Sequence, residues 1–180
     1  MLLRKKIVLL SFTMVFFTFL NAQIEVSHLT SKGYSSTGFG GFLNFAIPVT
    51  EGNSVTAEVG LYSFKHDDDG VLLVPVLLGY RYTFNGSGTG LYIEPTAGYT
   101  IGATDIQKID EAGFPVIADG KYAEQKASGV TAGAGTGYIF PGRVAFNIGL
   151  RYQHVFVSKD PGLNLFSLRI SHTISLRRRD

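Results

Sequence analysis

Asn164-Leu165-Phe166-Ser167-Leu168-Arg169-Ile170-Ser171-His172-Thr173-Ile174-Ser175-Leu176 alternates with a period of two. Phe166, Leu168, Ile170, Ile174 and Leu176 oppose Ser167, Arg169, Ser171 and Thr173. Successive side chains of an extended chain point to opposite faces, so this stretch predicts a strand with one apolar and one polar face. The pattern recurs toward the N-terminus. Val144, Phe146, Ile148, Leu150, Tyr152 and Phe156 oppose Asn147, Gly149, Arg151 and Gln153. Leu72, Val74, Val76, Leu78, Tyr80, Tyr82 and Phe84 oppose Gly79, Arg81 and Thr83. Val55, Ala57, Val59 and Leu61 oppose Thr56, Glu58, Gly60 and Tyr62.

Eight strands are expected: Ile24–Leu29, Ser36–Val49, Ser54–His66, Val71–Phe84, Gly90–Asp105, Lys126–Phe140, Arg143–Val157 and Asn164–Leu176. The connections carry the Gly, Pro, Asn and Asp that turns require, as in Thr50–Asn53, Asn85–Thr89 and Pro141–Gly142. The longest connection, Ile106–Gln125, is expected to be an exposed loop.

The first residues form a removable leader. Arg4, Lys5 and Lys6 precede the apolar run Ile7–Leu20, and Asn21, Ala22 and Gln23 follow it. Cleavage is expected between Ala22 and Gln23. Removing 22 residues from the 180 leaves 158, enough for one domain over residues 23–180. The formal charge is +2 and the leader carries three positive charges, so the mature domain has −1. That balance points to no nucleic-acid partner. The chain has no cysteine, which excludes a disulfide scaffold, a lipid anchor on Cys and a thiolate metal site.

Twenty-two glycines, fourteen Phe and nine Tyr make the chain rich in turn formers and aromatics. Its charged fraction is 17%, below the roughly 25% of soluble domains. After the leader no apolar run has the length of a spanning helix. A membrane protein without such helices must be a closed barrel, because every backbone N–H and C=O needs a partner in lipid.

Alternation alone also fits a soluble periplasmic ligand-binding barrel, apolar inside and polar outside. Three features favour the inverted arrangement. The polar faces are mostly Gly, Thr, Ser and Asn, a poor soluble surface but one suited to a narrow lumen. Aromatics gather near strand ends in two groups: Tyr80, Tyr82, Phe84, Tyr138 and Phe140, and then Tyr99, Tyr152, Phe156 and Phe166. The strands also exceed the roughly 9–11 residues that a tilted membrane crossing needs. With both chain ends on one side, the connections on that side are short and those on the other are longer, the pattern of short periplasmic turns and long outside loops.

Parity puts six charged residues in the lumen: Glu25, Glu58, Arg81, Glu94, Arg151 and Arg169. Arg81 and Glu94 lie about equally far from the Asn85–Thr89 turn, so they are expected to form an ion pair. Arg151 and Arg169 lie nearly opposite across the Ser158–Leu163 connection. Two like charges at one level need an acid, and Glu58 is the candidate by height.

No catalytic residue, cofactor or metal is predicted. Gly133-Ala134-Gly135-Thr136-Gly137 lacks the following helix of a phosphate loop and is expected to make room in the lumen. His66-Asp67-Asp68-Asp69-Gly70 lacks calcium-loop spacing and is expected to be a solvated acidic turn. His154 and Ser158 stand four residues apart on one strand face, roughly 13 Å, too far for a nucleophile–base pair.

The Asn21-Ala22-Gln23 leader end, the eight alternating strands and the final strand Asn164–Leu176 resemble the small outer-membrane β-barrel family of OmpA/OmpX type. The likeness covers nearly all of residues 23–180. It implies an all-β, eight-stranded antiparallel up-and-down transmembrane barrel in the bacterial outer membrane. It also implies contact with outer-membrane lipid and lipopolysaccharide, and an unknown surface partner met through the outer loops. The family's last strand ends at or near an aromatic, whereas here Leu176 is followed by Arg177-Arg178-Arg179-Asp180. No periplasmic peptidoglycan-binding domain is expected. The expected role is structural or surface-interacting, with a lumen plugged by polar side chains. The alternative activity is lipid-A modification by an outer-membrane enzyme.

Overall fold

Strands with a β-branched or aromatic residue at every second position pair readily when each neighbour carries the same stripe. The computed structural model describes residues 20–32, 34–66, 69–103, 105–107, 116–118, 121–122, 124–142, 144–157 and 162–174. Eight strands form the wall: β1 Leu20–Ser31, β2 Tyr34–Pro48, β3 Asn53–His66, β4 Asp69–Thr83, β5 Gly90–Gly102, β6 Gly129–Phe140, β7 Val144–Val157 and β8 Leu163–Ile174. Each pairs antiparallel with its sequence neighbours, and β1 pairs with β8 to close the barrel. Closure removes the edges that lipid would leave unpaired.

Several boundaries differ from expectation. The first strand is longer at both ends than Ile24–Leu29, and it runs through the position expected for leader cleavage. Residues 1–19 lie outside the described residues. β5 stops at Gly102 rather than Asp105, and β6 starts at Gly129 rather than Lys126. There the Ser128 hydroxyl accepts the Gly102 N–H at 2.9 Å, in place of a ladder bond. Beyond it the connection is more than a loop. Asp105–Gln107 pairs antiparallel with Glu124–Lys126, and Ile117–Ala118 with Lys121–Tyr122.

Turn chemistry fixes the end that carries the short connections. In the β4–β5 turn, Gly86 and Gly88 have φ of 68° and 72°, a region L-residues avoid. The Asn85 side chain accepts the Ser87 N–H at 3.1 Å, as an Asx turn does. The β2–β3 turn docks onto it, for the Thr83 N–H and hydroxyl both donate to the Gly52 carbonyl, at 2.9 and 2.6 Å.

Two prolines stand inside the wall, a position that sheets rarely tolerate because proline has no N–H. The β3–β4 register is interrupted between Val59↔Val76 and Tyr62↔Leu73, beside Pro75. The β4–β5 register is interrupted between Gly79↔Thr96 and Tyr82↔Ile93, beside Pro95. Both gaps flank β4.

Candidate functional site: the charged lumen and the apolar wall

The alternation sorts side chains as expected in every wall strand. Thr56, Glu58 and Tyr62 of β3 are buried in the lumen, as are Asn147, Arg151 and Gln153 of β7 and Ser167, Arg169 and Ser171 of β8. All six charged residues predicted for the lumen face inward. Glu25, Glu58, Glu94, Arg151 and Arg169 are almost completely buried, and the Arg81 side chain keeps 13% exposure.

These six side chains form one connected group. Arg81 Nη2 donates to both carboxylate oxygens of Glu94, at 3.2 and 3.1 Å. Arg169 Nη2 donates to the same carboxylate, and the Thr56 hydroxyl adds a third donor at 2.8 Å. Arg151 bridges Glu25 and Glu58 through its two terminal nitrogens. Arg169 Nη1 lies 3.5 Å from Glu58 Oε1, joining the two clusters. Neutral groups complete the shell: Tyr62 donates to Glu25, Asn44 to Glu58, and Gln23 to Glu25 at 2.5 Å. Three arginines and three glutamates balance, as charges taken out of water require.

The expected geometry needs two refinements. Arg169 pairs across the β7–β8 ladder with Gly149, while Arg151 pairs with Ser167, so the two arginines are offset diagonally. Arg169 therefore reaches Glu94 as well as Glu58, which makes Glu94 a shared acid rather than the private partner of Arg81. Glu25 stands directly opposite Arg169 in the β1–β8 register, yet it binds Arg151. The guanidinium stems must cross the lumen, and hairpin parity does not contain that reach.

Aromatic rings support the arginines. The Tyr92 hydroxyl accepts from Arg169 Nε and Nη2, at 3.2 and 2.9 Å. Arg81 and Arg169 lie over the Tyr92 ring, at 5.0 and 5.5 Å from its centroid, and Arg151 lies 5.2 Å from that of Phe42. Room for Tyr92 comes from the inward glycines. A Cβ on Gly149 would lie 2.5 Å from the Tyr92 hydroxyl and 2.8 Å from the Thr136 carbonyl. Gly149→Val is therefore expected to destabilise the barrel by about 1–3 kcal/mol, the cost of overpacking. Equilibrium unfolding in lipid vesicles measures it, and an unchanged midpoint would mean that Tyr92 is not held where it stands.

One expectation is corrected. The lumen is not plugged by polar side chains alone. Leu29, Phe42, Tyr62, Phe64, Val71, Leu73, Ala127, Val155, Leu163 and Leu165 form a buried apolar cluster toward the long-loop end. It caps the charged group. Its sequence signal is local loss of alternation: at Val71–Leu73 and Leu165–Phe166 both strand faces carry apolar residues.

Other candidates fall elsewhere. Asp67, Asp68, Ser158 and the C-terminal arginines lie outside the described residues, as do the side chains of His66 and Asp69. His154 faces outward, and its Nδ1 contacts Asn164 Oδ1 at 2.9 Å. Among the described residues no three His, Asp or Glu side chains gather as metal ligands.

The outer surface decides between the two barrel classes. Ile24, Phe39, Leu78 and Leu91 are each about 60% exposed or more, and the outward stripes of the other strands join them in a continuous apolar belt. Soluble monomers rarely expose a contiguous apolar surface of this kind. Aromatics border it at both ends: Tyr80, Tyr82, Phe84, Tyr138 and Phe140 by the short turns, and Tyr99, Tyr152, Phe156 and Phe166 by the long loops. A closed antiparallel barrel with an apolar belt, two aromatic girdles and a filled lumen is a transmembrane barrel of the bacterial outer membrane. The soluble ligand-binding barrel is excluded.

The comparisons agree. The outer membrane protein beta-barrel domain family matches residues 15–172, and the chain belongs to that family. No curated protein matches the sequence. Among solved structures it is similar to Ail, the attachment invasion locus protein of Yersinia pestis, in complex with the heparin analogue sucrose octasulfate. That match has 13% identity and a TM-score of 0.57, over 86% of this chain and 94% of that one. The outer membrane enzyme PagL is similar at 13% identity and a TM-score of 0.55, over 84% and 97% of the two chains. Likeness at this identity shows the fold alone, and it reaches a binding barrel and an enzyme equally.

Proposed function

We propose that this barrel is a structural and surface-contact protein of the outer membrane, neither a channel nor an enzyme. The carrying observation is the lumen. An ion-paired, largely buried charge cluster spans it at one level, and an apolar cluster caps it at the next. Solute would have to break the first and wet the second, and apolar constrictions block conduction by excluding water. The six charged residues act structurally, tying β1, β3, β4, β5, β7 and β8 together from inside.

Residues 1–22 are proposed to be the cleaved leader and residues 23–180 the mature barrel. Contacts with partners fall to the long-loop end, since loops on a rigid scaffold carry variable binding surface. That Ail, a barrel of the same fold, was solved with a sulfated sugar supports surface contact as a use of this scaffold.

Planar-bilayer recording of the purified protein tests the reading, alongside lipid A mass spectra from cells with and without it. The expected result is a silent bilayer and unchanged lipid A. Stable conductance steps, or a lipid A species that depends on the protein, would overturn it.

A further inference from the structure

β4 is joined to each neighbour with one break in the register, and a proline stands at both breaks. Continuing the β4–β5 register through its break sets Tyr80 opposite Pro95 and Arg81 opposite Glu94. Pro95 has no N–H to offer Tyr80. The break is confined to this seam. Tyr80 and Arg81 stay paired with Val55 and Ser54 on β3, and Pro95 and Glu94 with Ala134 and Gly135 on β6. Between the break and the turn the seam holds through Tyr82↔Ile93, Thr83↔Tyr92 and the Phe84 N–H, which donates to the Leu91 carbonyl at 3.0 Å. The β3–β4 break sets Gly60 opposite Pro75 and Leu61 opposite Val74.

Different chemistry covers the two breaks from the lumen. At β3–β4 the cover is apolar. A Cβ on Gly60 would collide with the Phe42 ring, which packs edge-on against Tyr62 with 4.8 Å between centroids. At β4–β5 the cover is an ion pair. Arg81 and Glu94 are the inward side chains of the interrupted pairs, and Arg81 Nη2 holds both carboxylate oxygens, at 3.2 and 3.1 Å. Thr56 from β3 and Arg169 from β8 fix that carboxylate, and the Arg81 guanidinium lies over the Tyr92 ring. Of the six lumen charges, Arg81 is the one whose side chain keeps contact with water, and it stands near the short-turn end.

We infer that the Arg81–Glu94 pair is a strap: it closes the β4–β5 seam where proline interrupts the backbone ladder, and its release opens the wall there while the other seams stay shut. Lipid cannot solvate backbone groups, so a break in a membrane wall needs cover. A ladder bond gives cover that no solute can displace. A strap made of two charges yields to whatever neutralises or competes for either one, and Arg81 is within reach of periplasmic solutes. The element it frees is the end of the hairpin, from Tyr82 to Ile93. The inference concerns the wall rather than the bore, so it stands apart from the occluded-lumen reading.

Amide hydrogen exchange of the folded barrel in detergent micelles, read residue by residue by NMR, tests it. Glu94→Gln and, separately, Arg81→Met are expected to speed exchange across Tyr80–Phe84 and Leu91–Glu94 by about tenfold or more, the scale of losing a hydrogen bond to a charged group. Exchange at Leu61 and Val74, beside the apolar-covered break, should not change. Glu58→Gln removes the same charge from the lumen without touching the strap, so the seam should stay slow. Combining Glu94→Gln with Arg81→Met restores the charge balance and yet should leave the seam fast, which separates a strap from a charge deficit. Adding Pro95→Ala returns an N–H to the ladder and should slow the seam again in either strap variant. Heat-modifiable gel mobility shows which variants remain folded, and Arg81→Met alone keeps the test decisive if Glu94→Gln does not fold. Unchanged seam exchange in Arg81→Met, equal acceleration around the whole barrel, a slow seam in the charge-balanced double variant, or no slowing on Pro95→Ala would overturn the proposal.

Discussion

Leu78→Arg is expected to destabilise the barrel in a bilayer by about 2–4 kcal/mol, whereas Phe84→Arg costs about 0–1. Both side chains point outward on the β4 side of the barrel, at 65% and 60% exposure, so the contrast isolates depth. Leu78 pairs with Ala57 on one side and Ala97 on the other, between the levels of Tyr80 and Tyr99 in the two girdles. A guanidinium there must drag water or headgroups toward the midplane. Phe84 follows the last residue of β4, at the turn, where a long side chain reaches water. Guanidinium unfolding in phospholipid vesicles measures both. Equal midpoint shifts would mean that the belt does not sit in hydrocarbon as its girdles indicate.

The outward stripes were legible because lipid imposes one rule on every strand. A residue either faces hydrocarbon or it does not, and parity transmits that choice along the chain. The lumen follows no such single rule. Arg81 and Glu94 could be paired from their distances to a turn, since a hairpin is local. That Arg169 also reaches Glu94 depends on the diagonal offset of β8 against β7 and on the space opened by Gly135 and Gly149. Neither is visible in one strand. The apolar cap escaped for a different reason. Val71, Leu73 and Leu165 interrupt the alternation, and an interruption in one strand reads as noise until its neighbours bring the same kind of side chain to the same level. Thr83 illustrates the converse. Parity offers it as a roomy lumen position, yet it is 3% exposed, its hydroxyl donating to Gly52 and accepting from Gly88.

The charge cluster carries the other large effect. Glu94→Gln removes the acid that Arg81 and Arg169 share, leaving three buried or half-buried cations against two carboxylates. Breaking one side of a buried pair typically costs about 3–5 kcal/mol, because the survivor is left uncompensated in a medium that cannot solvate it. Arg169 retains Tyr92 and the 3.5 Å approach to Glu58, so most of the penalty falls on Arg81, which has only partial access to water. Replacing Arg81 by Met in the same chain restores a balance of two cations and two anions, and it should recover part of the loss. Recovery stays incomplete, since Arg169 has still lost its closest acid and the amide at position 94 offers one acceptor oxygen in place of two. Glu58→Gln should cost as much, and it should not be relieved by Arg81→Met, because Glu58 serves Arg151 and Arg169 instead. A double-mutant cycle by guanidinium unfolding in vesicles separates these outcomes. A coupling energy near zero between positions 81 and 94, or relief of Glu58→Gln by Arg81→Met, would show that the six charges do not divide into the two linked clusters described here.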